Sequence, residues 1–228
     1  YYDILKEFTS INTLKALYGK YYASTIYLIS FLPNSLDVLK ETLGTGQGPL
    51  FDNIKFNKLY QSIKDFTPLT TEQNAELKTF SSPAYAEMLT QTNKEIIKKI
   101  ELNKRKTGFT VNETGQVSNE DLFPSIISKF RGHTLLVDFW ATWCGPCRSA
   151  NKQILPMKKE LKDKDIIYLY ITGETSPLGT WKNMIPDIHG EHFRVTDEQW
   201  SYLREKFSIR GVPTYFVIDK EGNITYKQ

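Results

Sequence analysis

The sequence predicts an α/β domain, a central mixed sheet flanked by helices, preceded by an all-α domain. Residues 1–106 keep the spacing of apolar side chains that is typical of amphipathic helices. Beyond residue 133, short apolar runs of strand length alternate with amphipathic helices, which indicates parallel strand pairs. The last two runs, TYFVID and NITYK, flank the tight turn KEG. They predict a hairpin that adds an antiparallel edge to the sheet.

The helical half breaks into segments at its prolines and glycines. NTLKALYGKYYASTIYLISFL has apolar residues at helical spacing and ends at Pro33. NSLDVLKETLG is a shorter helix that ends at Gly44. LFDNIKFNKLYQSIKDF, TTEQNAELKTF and SPAYAEMLTQTNKEIIKKIELNKRK continue the pattern, the last with Pro83 in its first turn. We therefore expect a helical N-terminal domain over residues 1–108.

The second domain is expected over residues 109–228. It opens on the polar segment TGFTVNETGQVSNED, which we interpret as a linker or an extended entry. TLLVDFW and DIIYLYIT are apolar enough for strands that are buried on both faces. A helix from the cysteines through SANKQILPMKKELKDK joins these two strands. TWKNMI and TDEQWSYLREKF are amphipathic helices that precede the hairpin.

Composition limits the classes of function. The 228 residues are 40% apolar and 24% charged, as in an ordinary soluble protein, and the net charge of +3 argues neither for nor against a polyanionic partner. Because lysine and arginine are scattered outside one short run, we expect no nucleic-acid partner. The basic run NKRK is interpreted as a solvated helix end. The sequence contains no run of about 18 apolar residues, so we predict no transmembrane helix. Because the chain begins with Tyr1 and not Met, we allow for a membrane tether or signal segment before it.

The chain has two cysteines, Cys144 and Cys147, in the stretch VDFWATWCGPC. A disulfide across so short a loop constrains the unfolded chain little, so the spacing favours redox chemistry or half of a metal site. Gly145 and Pro146 suit a turn into a helix, whose N-terminus stabilises a thiolate. We therefore expect Cys144, at the exposed tip, to attack a disulfide, and the less accessible Cys147 to resolve the mixed disulfide.

Two signatures resemble the thioredoxin superfamily. LLVDFWATWCGPC resembles its active-site strand and motif, and IRGVPTYFVID resembles its Val-Pro-Thr turn before a strand. The resemblance implies a thioredoxin-like fold in which Pro213 is cis and faces the dithiol. It also implies that Asp138, whose pKa burial should raise, helps to deprotonate Cys147. No cofactor is implied beyond the redox-active Cys144–Cys147 disulfide.

A groove for the substrate chain is expected beside the dithiol. Backbone atoms before the cis-proline would pair with a bound peptide there, and an exposed tryptophan is a common interface residue. The residues expected to line the groove are Trp143, Gly145, Pro146, Val212 and Thr214. Trp140, by contrast, is expected to pack in the core.

A long segment, GETSPLGTWKNMIPDIHGEHF onward, separates the second strand of this domain from the cis-proline turn. This inserted segment and the helical leader resemble the TlpA/ResA-like thiol–disulfide oxidoreductases of bacterial envelopes, especially the Bacteroidetes-type multidomain set. ITGETS resembles the ResA-type segment that brings a glutamate near the dithiol, here Glu174. The resemblance implies a periplasmic or cell-envelope setting, protein thiol or disulfide substrates and an upstream electron-donor protein. The family's last helix would be missing, since the chain stops at Gln228.

Other functions stay open at this point. The protein could be a client- or partner-binding module. The helical domain would then recognise the client or partner, and the dithiol would have a secondary role. A thiol peroxidase would explain Thr142, two residues before Cys144, but the upstream proline of those enzymes is missing. A metal site would need His133, His189 or His192 as ligands beside the two cysteines. A structural zinc site usually combines one Cys-x-x-Cys pair with a second pair of closely spaced ligands. The histidines do not supply a convincing second pair, so we expect no metal. The Gly-Pro spacer and the family favour reduction over oxidation.

Overall fold

The computed structural model describes residues 34–228. The chain divides into two compact units, Tyr1–Lys99 and Ile100–Gln228. The helix predicted before Pro33 lies outside the described residues. The predicted domain boundary lies between residues 108 and 109, whereas the two units divide after Lys99. The predicted boundary stays a prediction.

The N-terminal half of the described chain is helical. Its elements are α1 (Ser35–Leu43), α2 (Pro49–Lys64), α3 (Thr71–Glu76), a 3-10 turn (Leu77–Thr79) and α4 (Pro83–Asn103). Thr70 caps α3 through a reciprocal pair of hydrogen bonds with Gln73, a capping box that satisfies two backbone N–H groups. No helix within residues 34–228 is long and apolar enough to cross a membrane. An apolar cluster holds this half together: Leu59, Ile63, Leu69, Leu77 and Leu89.

The second half alternates strands and helices. Its elements are β1 (Phe109–Asn112), α5 (Asn119–Ser128), β2 (Thr134–Phe139), α6 (Gly145–Gln153), α7 (Leu155–Glu160), β3 (Ile166–Thr172), α8 (Leu178–Met184), a 3-10 turn (Ile185–Asp187), β4 (Gly190–Arg194), α9 (Asp197–Lys206), β5 (Thr214–Ile218) and β6 (Ile224–Lys227). The strands form a six-stranded sheet in the order β1-β4-β3-β2-β5-β6. β5 is antiparallel to β2 and β6, and the other pairs are parallel. The predicted mixed sheet and terminal hairpin are confirmed.

Some elements differ from the predicted ones. β1 lies inside the segment interpreted as a linker or an extended entry, and a strand fits the second of these alternatives. β4 lies inside the inserted segment, where it pairs with β1 at the edge of the sheet. Helix α5 begins after Ser118, whose side chain accepts a backbone hydrogen bond as its N-cap. The long helix predicted after the cysteines divides into α6 and α7 beside Pro156, since a proline nitrogen has no hydrogen to donate.

The two faces of the sheet differ in chemistry. Side chains alternate along each strand, so Asp138 points away from the face to which Val137 contributes. The first face is an apolar core that includes Leu122, Ile126, Val137, Phe139, Leu169, Ile171, Phe193, Leu203 and Phe216. On the opposite face, the strand register aligns four titratable side chains in one row: Tyr215, Asp138, Tyr170 and His192. The row crosses β2 just before this strand leads into the cysteines.

Candidate active site

Cys144 and Cys147 form a disulfide, with their Cα atoms 5.3 Å apart. Cys144 is the N-cap of α6, and its Sγ accepts a hydrogen bond from the backbone N–H of Cys147 at 3.1 Å. Pro146 occupies the first turn, where its missing N–H leaves no hydrogen bond unmade. The helix N-terminus therefore points its positive end at the sulfur that would carry the thiolate in the reduced protein.

The cysteines differ less in exposure than expected. Cys144 is 3% exposed and Cys147 is fully buried. The prediction of an exposed Cys144 is therefore wrong for the disulfide form, because its sulfur lies against the carbonyl oxygen of Val212, at 3.5 Å. The exposed part of the motif is Gly145 and Pro146.

The cis-proline turn lies beside the dithiol. The peptide bond between Val212 and Pro213 is cis, as the resemblance implies, and both residues are half-buried. Thr214 begins β5 opposite Phe139, the last residue of β2. The pairing of β5 with β2 therefore holds the turn at the end of the sheet that carries the cysteines. The hydroxyl of Thr214 donates a hydrogen bond within the turn, to the carbonyl of Gly211 at 2.8 Å.

Asp138 is buried in β2, with 4% of its surface exposed. Burial raises the pKa of this carboxyl from 3.8 to about 7, and the charge of Lys158 opposes the rise. Its Oδ1 atom has no hydrogen-bond partner among the described residues. A carboxyl that titrates near neutral pH can either hold or accept a proton under physiological conditions.

Lys158, on α7, is a site residue that sequence reasoning missed. Its ammonium lies 4.2 Å from the ring centre of Tyr168 and 4.9 Å from that of Tyr170. Burial lowers the pKa of Lys158 to about 8, and the charge of Asp138 opposes the fall. The sequence carries no signal for it, because a lysine in the run LPMKKE normally lies on a solvated helix face.

The loop before the cysteines is held by the GETS segment that follows β3. Trp143 is 60% exposed, and its indole N–H donates to the hydroxyl of Thr175 at 3.2 Å. The backbone N–H of Thr142 donates to the buried hydroxyl of Ser176 at 3.0 Å. This hydroxyl also bonds the hydroxyl of Thr172, at 2.7 Å. The start of the inserted segment therefore positions the loop that leads into the motif.

Glu174 lies in the same segment, but its carboxylate is bound elsewhere. It contacts the guanidinium of Arg194 at 3.5 Å and accepts a hydrogen bond from the backbone N–H of Asp197 at 3.2 Å. The second contact is at the N-terminus of α9, where negative charge is favourable. Neither contact involves a cysteine. The residues of this segment that reach the dithiol loop are Thr175 and Ser176.

The histidines do not gather at the cysteines. His133 and His189 are exposed. His192 is buried, stacks on Tyr170 with the ring centres 4.9 Å apart, and places Nε2 2.7 Å from the carbonyl oxygen of Ile188. Within the part of the chain that the structure describes, no group of three or more histidine, cysteine or acidic side chains is arranged to hold a metal.

Comparisons with known proteins give one family model and several relatives. The family model described as Redoxin matches residues 114–228. The chain is similar to the thiol-disulfide oxidoreductase ResA of Bacillus thuringiensis subsp. konkukian, at 22% identity over 126 residues, which are 55% of this chain and 68% of the relative. It is also similar to nucleoredoxin of Mus musculus, at 26% identity over 104 residues, which are 44% of this chain and 24% of that protein.

Solved structures align with just under half of the chain. The thioredoxin domain of a thiol-disulfide oxidoreductase from Bacteroides vulgatus aligns at 24% identity and a TM-score of 0.41, over 45% of this chain and 74% of that one. A thiol:disulfide interchange protein of the thioredoxin family from Chlorobium tepidum aligns at 27% identity and a TM-score of 0.39, over 45% and 72%.

Proposed function

The chain belongs to the Redoxin family, as a TlpA/ResA-like thiol–disulfide oxidoreductase, and we propose that it reduces disulfides of extracytoplasmic proteins through Cys144 and Cys147. The observation that carries the proposal is the closed Cys144–Cys147 pair at the N-terminus of α6, beside the cis-proline turn. A dithiol in this position can form a thiolate and close again to a disulfide.

The first step is attack on the client. The Cys144 thiolate, stabilised by the N–H groups that begin α6, attacks one sulfur of the client's disulfide. A bond forms between Cys144 and the client, the client's own disulfide breaks, and its other sulfur leaves as a thiolate that takes a proton from solvent. Direct attack of this kind needs no metal and no bound cofactor.

The second step releases the client. The thiol of Cys147 gives its proton to the carboxylate of Asp138, directly or through one water, and the resulting thiolate attacks the sulfur of Cys144. The Cys144–Cys147 disulfide forms, the mixed disulfide breaks, and the second client sulfur leaves as a thiolate. Two electrons have then passed to the client, so an upstream donor protein must reduce the disulfide before the next cycle.

The client would lie over the exposed part of the motif. Trp143, Gly145 and Pro146 surround the buried cysteines at the surface, and the indole N–H of Trp143 donates a hydrogen bond to the hydroxyl of Thr175, which orients the ring. The backbone at Val212 would pair with an extended client segment, as in other cases of strand addition. Such a surface suits a protein chain rather than a small peroxide molecule.

The envelope setting belongs to the same proposal. It is supported by the likeness of the inserted segment and the helical leader to the TlpA/ResA-like proteins of bacterial envelopes. A membrane tether before Tyr1 would place the dithiol at the membrane surface. We assign Glu174 to bracing the inserted segment and not to proton transfer, because Arg194 and the start of α9 engage its carboxylate.

A pair of substrates tests the proposal. The protein should reduce insulin with dithiothreitol as the electron source, and hydrogen peroxide should disappear no faster than without the protein. The physical reason is that the groove binds a chain carrying a disulfide, while a peroxide makes no such contact. Turbidity reports insulin reduction, and peroxide is assayed directly.

The control for this assay is Cys144→Ser, which should be inactive on insulin. Equal insulin reduction by the variant and the wild-type protein would contradict the proposal. Rapid peroxide consumption without insulin reduction would replace it with a thiol peroxidase.

A further inference from the structure

Lys158 is held in an unusual place for a lysine. Lys159, its neighbour on α7, is exposed, whereas Lys158 is half-buried. The rings of Tyr168 and Tyr170 lie within 4.9 Å of its ammonium, and the ammonium donates a hydrogen bond to the carbonyl of His189. Aromatic faces and a carbonyl oxygen attract a cation. The protein therefore supplies three partners that keep a charged group where burial opposes it.

These partners place the cation beside the row that contains Asp138. Tyr170 is the register partner of Asp138 in the neighbouring strand β3, and its ring is one of the two beneath the ammonium of Lys158. The carboxyl and the ammonium also act on each other electrostatically, since each favours the charged form of the other. The row and the cation thus form one electrostatic unit on this face of the sheet.

The other titratable groups of the row are neutral at pH 7. Burial raises the pKa of Tyr170 far above neutrality and that of Tyr215 to about 12. Burial also lowers the pKa of His192 to about 4. The cysteine sulfurs are bonded to each other and do not titrate in this state. Among these described groups, Lys158 is therefore the one whose charge acts on Asp138 at pH 7.

We propose that Lys158 is a positioning residue for the dithiol reaction, and that its ammonium, fixed by β3 and by the inserted segment, favours the carboxylate form of Asp138. The inference deepens the proposed function, since it rests on Asp138 as the acceptor of the Cys147 proton. It gives the inserted segment a second link to the dithiol, because the carbonyl of His189 belongs to that segment and holds the cation.

Removal of the charge should raise the pKa of Asp138. In Lys158→Met the side chain keeps an apolar stem of similar length but loses the ammonium. An opposite charge close to a carboxyl typically shifts its pKa by about one unit or more, so we expect a rise of about that size. The carboxylate fraction at pH 7 would then fall severalfold, and the pH dependence of insulin reduction would move upward with it.

The measurement is an NMR titration of the Asp138 side-chain carboxyl carbon in the disulfide form of the full chain. Lys159→Met is the matched control, since this exposed lysine is adjacent on the same helix, and its midpoint should equal that of the wild type. Lys158→Arg retains the positive charge and should restore most of the wild-type midpoint. An Asp138 midpoint in Lys158→Met equal to that of the wild type would overturn the inference.

A second variant tests the inference if Lys158→Met does not fold. Should Lys158→Met fail to give a folded spectrum, Tyr168→Leu removes one ring beneath the ammonium while the charge remains. It should raise the Asp138 midpoint less than removal of the charge would, and an unmoved midpoint in this folded variant would overturn the inference.

The titration needs no turnover, so its failure can be told from failure of the proposed function. If insulin is not reduced but the midpoint moves, the proposed function falls and the electrostatic coupling stands. If insulin is reduced but the midpoint does not move, the role of Lys158 falls alone.

Discussion

Cys147→Ser should turn the protein into a trap for its clients. Attack by Cys144 is unaffected, because the start of α6 still stabilises its thiolate. The mixed disulfide then persists, because no second thiol lies one helical turn away to displace the client. We expect turnover of insulin to fall roughly a thousandfold or more, as when a group that bonds covalently in the reaction is removed.

The trapped species is measured by non-reducing electrophoresis and mass spectrometry after the reduced variant is mixed with a disulfide-bonded client. Cys144→Ser is the matched control and should trap nothing. The opposite pattern, in which Cys144→Ser traps the client and Cys147→Ser does not, would exchange the roles of the two cysteines.

Asp138→Asn should slow release of the client about a hundredfold at pH 7, which is the lower end of the range for losing a general base. The pKa of Asp138 is about 7, so in the wild-type protein the carboxylate, and with it the release rate, should increase as the pH rises through neutrality. An asparagine amide accepts no proton. In the variant, the rise should move to the higher pH at which Cys147 ionises by itself.

Stopped-flow measurement of release from a preformed mixed disulfide, on both sides of pH 7, gives this profile. A fluorescent thiol that leaves from Cys144 is a suitable probe. Identical profiles for the two proteins would contradict a role for Asp138 as the proton acceptor.

Unfolding experiments distinguish the slower client release of Asp138→Asn from damage to the fold. The folded-state pKa of Asp138 is raised from 3.8 to about 7, so its contribution to stability is fully present below pH 3.8 and is lost as the pH rises through about 7. The loss amounts to at most about 4 kcal/mol. Asparagine does not ionise, so at pH 8 the variant should need more urea to unfold than the wild type. A slower but more stable variant would locate the defect in the chemistry.

The features that could be predicted from the sequence are those encoded by short, local patterns. β2 and β3 are continuous apolar runs, and a buried strand needs little else to be identified. The Cys-Gly-Pro-Cys motif and the Val-Pro-Thr turn are likewise local, and β5 brings the turn to the end of β2 at Phe139. The fold class and the position of the dithiol could therefore be predicted without coordinates.

The remaining features depend on partners that are distant in the sequence. β4 has the polar sequence GEHFR and becomes a strand because β1 and β3 lie on either side of it. Lys158 and Lys159 are adjacent lysines that the sequence pattern does not distinguish. They differ in the folded protein because the ammonium of Lys158 contacts the aromatic rings of β3. Glu174 is drawn to Arg194 and the start of α9. No spacing rule encodes these contacts, because they join residues that are distant in the sequence and depend on the surrounding structure.

The reduction potential of the Cys144–Cys147 pair tests the proposed reductase most directly. Equilibration with glutathione buffers of known ratio, followed by alkylation and mass spectrometry, measures it on the full chain. We predict a value close to that of thioredoxin, about −270 mV, at which the dithiol donates electrons to protein disulfides. A value near about −120 mV, that of a strongly oxidising dithiol protein, would contradict this prediction and make the protein a donor of disulfides.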